Sequence, residues 1–336
     1  MKTKRALQFD QIGFVYSNKI GNNTSLRFVN FGFNYHKSKN FNRLFSMGGA
    51  LDNMSQSFQL AQEMERYGLT ESEFNDILDA KNPYTKYWNQ LPVLGVMGVR
   101  TGVVDWFNDP EKNIHAPWGW NGFNNNFFSK ETGGISQYDF NVSFNIEDRV
   151  YLGATLGVYD VNYDRYTSYT ENLNDDKGAD NGGYTLDNYY RLEGTGMDLK
   201  LGVIVRPIES SPFRLGFAVH TPTWYDLRES YNATLSSDIL AYEKPYIQTL
   251  SDFLVTPEYD YLTYDYNLTT PWKFNVSAGT TFAGAVAVGA EYEYQDYSSS
   301  KLKDVDGYEL GDQLSVENYL KGVHTFRIGM ENADHT

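Results

Sequence analysis

Residues 285–297 read AVAVGAEYEYQDY, and taking every second residue separates the stretch into two lists. Successive side chains of a β-strand point to opposite faces. One face carries Val286, Val288, Ala290, Tyr292 and Tyr294, while the other carries Ala285, Ala287, Gly289, Glu291, Glu293 and Gln295. An aliphatic face ending in tyrosines, backed by a small-residue face that turns acidic, fits a strand between hydrocarbon and an aqueous lumen. A two-layer soluble sheet also alternates, so the decision rests on the remainder of the chain.

The same period of two recurs. In 137–146, Tyr138, Phe140, Val142, Phe144 and Ile146 oppose Gln137, Asp139, Asn141, Ser143 and Asn145. In 197–206, Met197, Leu199, Leu201, Val203 and Val205 oppose Asp198, Lys200, Gly202 and Arg206, with Ile204 the exception. Residues 213–220 and 272–282 follow the same rule, and 7–17, 26–36, 150–163 and 322–330 follow it less strictly. With 285–297 these make nine candidate strands. Their connections alternate in length. Tight turns are expected at 20–23, 147–148, 206–213 and 282–285, and long polar segments at 37–133, 167–186, 229–258 and 298–320. Short and long connections in alternation are the pattern of an outer-membrane barrel, with brief periplasmic turns and extended outer loops.

Composition agrees. The chain has 336 residues, of which 16% are aromatic, including 27 Tyr, a usage that favours β-structure over helix. No apolar run reaches the length of a membrane-spanning helix, a test that is blind to barrel strands. The net charge of −15, from 43 acidic and 28 basic residues, argues against a nucleic-acid partner, which requires a basic footprint. Cysteine is absent, which removes disulfides, thiol chemistry and thiolate metal sites. The basic start MKTKRALQFDQIGF lacks the apolar stretch of a signal peptide.

The segment 37–133 is unlike the other connections. Met54, Phe58, Ala61 and Met64 recur at helical spacing, Gly68 ends that helix, and Thr70 with Glu73 forms a capping box flanked by Leu69 and Phe74. Two short helices are therefore expected inside this outer loop. After them comes an aromatic-dense stretch containing Trp106, Phe107, Trp118, Trp120, Phe123, Phe127 and Phe128. Apolar surface of that extent marks either a binding site or a packed mini-core. Both readings stay open. The candidate ligand-binding residues are Trp106, Phe107, Trp118, Trp120, Phe123, Phe58, Met64 and Phe74.

Other motifs carry little chemistry. The acidic runs at 172–183 and 304–312 lack the ligand and glycine spacing of an EF-hand and read as solvated loops. The five histidines form no metal-spaced pair, and the Gly-x-Gly at 194–196 has no third glycine and no following helix. No nucleophile has an identifiable base and orienter. No cofactor, metal or enzymatic activity is expected.

The stretches 151–163, 194–227 and 268–303 resemble the FadL/TodX family of outer-membrane long-chain fatty acid and hydrocarbon transporters. The resemblance lies in strand, Pro-containing turn, strand units, a Thr-Pro-Trp strand entry and the EYEYQDYS strand exit. Residues 7–60, FNRLFSMGG above all, are similar to its more divergent branch. That family's N-terminal hatch has no counterpart in the sequence, and nine strands do not close an even-numbered barrel, so an internal piece of a longer protein is expected. The resulting fold expectation is an all-β, antiparallel up-and-down transmembrane barrel, incomplete at about nine strands, with 134–331 as the strand meander and 37–133 as an extracellular loop bearing short helices.

The resemblance implies a monomeric protein of the outer membrane of a Gram-negative bacterium, in contact with outer-membrane lipid and lipopolysaccharide. It implies passive uptake of hydrophobic compounds such as long-chain fatty acids. The polar side chains of the inward lists favour an alternative, a general porin for small hydrophilic solutes. A soluble secreted β-protein is a third reading.

Overall fold

The computed structural model describes residues 9–22, 24–52, 54–80, 90–109, 111, 114–175, 177–240, 246–249, 262–282 and 285–332. Nine antiparallel strands form one continuous wall: β1 Gln11–Lys19, β2 Leu26–Asn40, β6 Asn121–Ile146, β7 Val150–Asn174, β8 Asp180–Val205, β9 Arg214–His220, β13 Lys273–Phe282, β14 Val286–Asp296 and β16 Gly322–Asn332. Each of the nine expected strands falls on one of these. The other members of the sheet widen it: β3 Arg43–Ala50 pairs with β6, β10 Trp224–Ser237 with β8, β11 Tyr246–Thr249 and β12 Leu262–Thr269 with β10, and β15 Lys301–Asp304 with β12. A separate hairpin joins β4 Asp105–Asp109 to β5 Ile114–Trp118. The architecture is a curled half-barrel.

The alternation sorts as the residue pattern requires. Phe140, Leu201, Phe217 and Val276 are exposed, whereas Asp139 and Asp198 on the opposite face are buried. The polar face is the concave one. Lys200 on β8 reaches Asp139 on β6 at 3.0 Å, and Tyr159 on β7 meets Tyr225 on β10 with ring centroids 5.7 Å apart. Each pair is two strands apart, roughly 9–10 Å between backbones, and the curl of the half-barrel draws such side chains together on its concave face. Ile204 lies on this face, beside Gly216 and Ser277, where it is exposed to the open cavity.

The convex face changes character at a defined level. Tyr35, Tyr138, Val158, Met197 and Trp224 stand in register across five strands. Two residues further along, the register row is Lys37, Ser136, Asp160, Thr195 and Asp226. Below it the outward residues of β7 run Val150, Leu152, Ala154, Leu156 and Val158, and those of β8 run Met197, Leu199, Leu201, Val203 and Val205.

All four tight turns lie at one rim. Ser25 accepts from Glu147 N at 2.8 Å, and Arg149 accepts from Arg206 N at 2.8 Å, linking neighbouring turns. Glu147 and Asp148 have φ of 53° and 54°, the left-handed pair of a type I′ hairpin turn that matches strand twist. Asn145 Oδ1 accepts from Asp148 N at 3.0 Å and secures that turn. The turn at 282–285 is closed by Ala285 N donating to Phe282 O at 3.0 Å; residues 283 and 284 lie outside the described residues.

The expected boundary between strand and outer loop requires correction. β6, β7 and β8 run 26, 25 and 26 residues, far beyond the roughly 9–11 that cross a hydrocarbon layer. Much of the expected loops at 37–133 and 167–186 is therefore paired strand, and the β7–β8 connection shrinks to 175–179. These extensions are rich in Asn, Thr and Tyr and carry apolar residues on the inner face only in places, Leu173, Tyr184 and Leu186 among them, so alternation does not reveal them; backbone pairing with their neighbours and packing against the helices sustain them instead.

Among the described residues of 56–100 three helices occur: α1 Gln56–Arg66, α2 Glu71–Asp79 and α3 Val93–Arg100. Two were expected. Met54 is outside α1 and exposed, because Ser55 caps the helix by accepting from Ser57 N. Gly68, at φ 73°, ends it. The capping box of Thr70 and Glu73 is present on α2, and Thr70→Ala is expected to lower stability by about 0.5–2 kcal/mol, read as a shift in the urea midpoint. α3 has no polar face and a poor helical sequence, VLGVMGVR, and is held by burial: Val96, Met97 and Val99 are inaccessible.

Candidate functional site: the inward face and its cap

Two features share the concave side of the wall. Near the tight turns lies an open cavity of about 740 Å³. Its floor is nearly free of side chains, with Gly153 paired to Gly202 and Gly216 to Ser277. Lys273, Asn275, Glu291, Glu293 and Arg327 form a charged cluster at its side: Arg327 donates to both Glu291 and Glu293, and Lys273 Nζ lies 3.7 Å from Glu293. These residues alternate along β13, β14 and β16, so strand periodicity alone delivers them to one face.

A second polar cluster stands nearer the far rim. Lys200 Nζ contacts Asp139 at 3.0 Å and approaches Asp198 Oδ1 at 3.5 Å. The latter is an ion-pair distance that does not reach hydrogen-bonding geometry, so Asp198 Oδ1 lacks a donor. Its Oδ2 accepts from Tyr159 at 2.8 Å. The cluster lies over Gly157, where a Cβ would collide with Asp198 Oδ1. Inward alternation was legible in sequence, but not the convergence of residues from β6, β7 and β8.

Beyond that cluster the wall extends outward and the cap covers its inner face. Leu60, Ala61, Met64, Phe74, Ile77, Val96 and Met97 of the helices form one core with Leu173 of β7, Tyr184 and Leu186 of β8, and Ala233 and Leu235 of β10. The wall residues have the same strand parity as Tyr159, Asp198 and Tyr225, which places the cap on the concave side.

The eight candidate ligand residues divide between two settings. Met64 and Phe74 are buried in the cap core, with Trp106 and Trp120 packed against it. Trp120 Nε1 donates to Gly102 O at 2.8 Å. Phe58, Trp118 and Phe107 instead form a partly exposed stack, with centroids 5.5 and 5.1 Å apart, and Trp118 is 44% exposed. Phe123 sits on β6, where its carbonyl accepts from Leu51 N, and Phe127 and Phe128 point to opposite faces of that strand, against Phe45 and Tyr166 respectively.

One residue of this region was missed by the sequence reading. Glu171, fully buried on β7, accepts at Oε2 from Tyr169 at 2.8 Å, Tyr184 at 2.7 Å and the backbone N of Gln56 at 3.1 Å. Burial, and next the Glu171 charge, push the Tyr184 phenol well above its usual range; burial with the hydrogen bond to Glu171 raises Tyr169 to about 12. In sequence Glu171 looks like part of an acidic loop.

Outside the cap, Arg228 and Asp265 form a two-pronged pair at 2.6 and 2.9 Å on the convex side of β10 and β12. The hydrogen bond from Arg228 holds the Asp265 carboxyl below its usual range. A lowered folded-state pKa contributes stability above the unfolded value, lost as pH falls through the folded value. Exposure screens this pair, so Arg228→Gln is expected to cost less than about 1 kcal/mol at pH 7 and nothing once Asp265 is protonated, as urea titrations at both pH values would show.

Among the described residues, no helix is long and apolar enough to cross a membrane, and no three His, Asp or Glu side chains gather to hold a metal ion. The fold thus defines the chain as a curled antiparallel half-barrel carrying a helical cap. No protein-family model matches the sequence, and neither a curated protein nor a solved structure is significantly similar to it.

Proposed function

We propose that this half-barrel is the transmembrane wall of a Gram-negative outer-membrane barrel that admits hydrophobic compounds, long-chain fatty acids or similar, by passive uptake. The observation that carries the reading is the convex band. On β7 and β8 it spans Val150–Val158 and Met197–Val205, the length of one hydrocarbon crossing, and its last row, where Tyr35, Tyr138 and Trp224 flank Val158 and Met197, borders a polar row in register, the place of an interfacial girdle. Outer-membrane lipid and lipopolysaccharide are the partners of that surface. The cap supports a gated route over an open pore, since it packs on the inner wall on the long-loop side. Its Phe58, Trp118 and Phe107 stack offers apolar surface to a hydrophobic ligand.

The charged inner face favours a second reading, a general porin for small hydrophilic solutes. Full-length protein reconstituted in liposomes separates the two. Uptake of a fluorescent fatty acid without sugar-driven swelling is the expected result; swelling by small sugars at porin-like rates would replace this reading with the second.

A further inference from the structure

The cap and the wall meet at a buried carboxylate. Glu171 has no accessible surface and, among the described residues, no ion-pair partner; its charge is met by the hydroxyls of Tyr169 and Tyr184 and by the first amide of α1. The helix dipole adds to that compensation. It is incomplete: Oε1 has no hydrogen-bond partner and is wedged against Gly122, where a Cβ would strike it. A glutamine of the same shape would keep the Oε2 acceptor and shed the desolvation cost of a charge, at the smaller cost of an amide N where Oε1 now has no partner. A buried, partly satisfied carboxylate is therefore a poor choice for permanent attachment. It gains most from water when the cap lifts and loses least when the cap is docked by all three donors.

We propose that Glu171 is a releasable latch, which holds α1 and the helical cap against β7 when its three donors are in place and favours opening of the cap as a unit while the wall strands stay paired. The geometry supports this division, because the cap meets the wall through apolar packing and hydrogen bonds in which a side chain is one partner, whereas β6, β7 and β8 are joined by long backbone ladders. That the opening serves ligand passage rests on the transport reading above; the latch itself does not.

Amide hydrogen exchange on the full-length protein in detergent tests it with two variants expected to move in opposite directions. Tyr184→Phe removes a donor and leaves the charge buried, so exchange in α1, α2 and α3 should accelerate about tenfold or more. Glu171→Gln removes the charge and keeps the acceptor, so exchange in the same helices should slow. Protection of the β6–β8 ladder should stay at the wild-type level in both. Acceleration in both variants would mark Glu171 as an ordinary structural acceptor and overturn the latch. So would unchanged cap exchange in both, or equal changes in cap and ladder. Fatty-acid uptake by the same variants is read separately. Opposite exchange shifts with unaltered uptake would leave the latch standing and remove the cap from the transport route.

Discussion

Leu201→Arg is expected to destabilise the folded wall by about 2–4 kcal/mol in a bilayer. Leu201 sits at the middle of the apolar run of β8, in register with Ala154 on one side and Val219 on the other, and it is 45% exposed in the isolated chain. If water met that face, a leucine so exposed would have little to lose, and arginine would change stability by no more than about 0.5 kcal/mol. The magnitude therefore distinguishes lipid from water on the convex side. Ser277→Arg is the matching control. Its side chain is inward, beside Gly216 and within the cavity lined by Glu291, and the added charge meets carboxylates. Urea unfolding of full-length protein from lipid vesicles, compared for the two variants, gives the difference. Equal small effects from both would return the soluble β-protein to consideration.

The contrast between these positions also explains what was readable from the sequence. Phe140, Leu201, Phe217 and Val276 could be assigned to one face because each lies in a run where apolar and polar residues alternate, and the two environments demand different side chains. In residues 121–133 and 163–174 the inner face mixes polar with apolar residues, buried Glu171 standing beside buried Leu173, so no alternation marks it; Asn124, Asn125 and Asn126 occupy successive strand positions that no periodicity rule distinguishes from a loop. The turn asymmetry was legible for a related reason, since chain length between runs is countable without knowing any structure. α3 stayed hidden because Gly95 and Gly98 weaken its propensity; they are needed where Met64 and Val104 crowd the helix, a fact of packing.

The candidate site was legible by composition and not by arrangement. The aromatic density around residues 106–128 pointed correctly to apolar packing near the two expected helices, yet nothing in the spacing separates Trp118 from Trp120. A two-residue offset within one segment sends one ring outward and the other onto the core. Glu171 went unnoticed because its partners, Tyr184 and the N-terminus of α1, come from residues 13 and 115 positions away along the chain.

Trp120→Ala and Trp118→Ala are accordingly expected to separate stability from capture. Trp120 packs on the cap core, its indole donates to Gly102 O, and its backbone exchanges hydrogen bonds with Ser57, N to Oγ at 2.8 Å and Oγ to O at 3.0 Å. Truncation leaves a cavity against the cap core and an unmet carbonyl at Gly102, and the cost should be about 3–5 kcal/mol, with the cap melting before the wall. Trp118 stacks on Phe58 and Phe107, on a surface with water on one side. Its truncation should cost about 1 kcal/mol or less beyond the loss of ring contacts and leave the helices in place. If that stack receives the ligand, Trp118→Ala should weaken fatty-acid binding by about tenfold, since 1–3 kcal/mol accompanies burial of an aromatic or aliphatic group of this size. Thermal unfolding and binding of a fluorescent fatty acid, measured on the same preparations, decide the outcome. Unchanged affinity in Trp118→Ala would confine the aromatic segment to a packing role and direct the search for the ligand site to the cavity over Gly153 and Gly202.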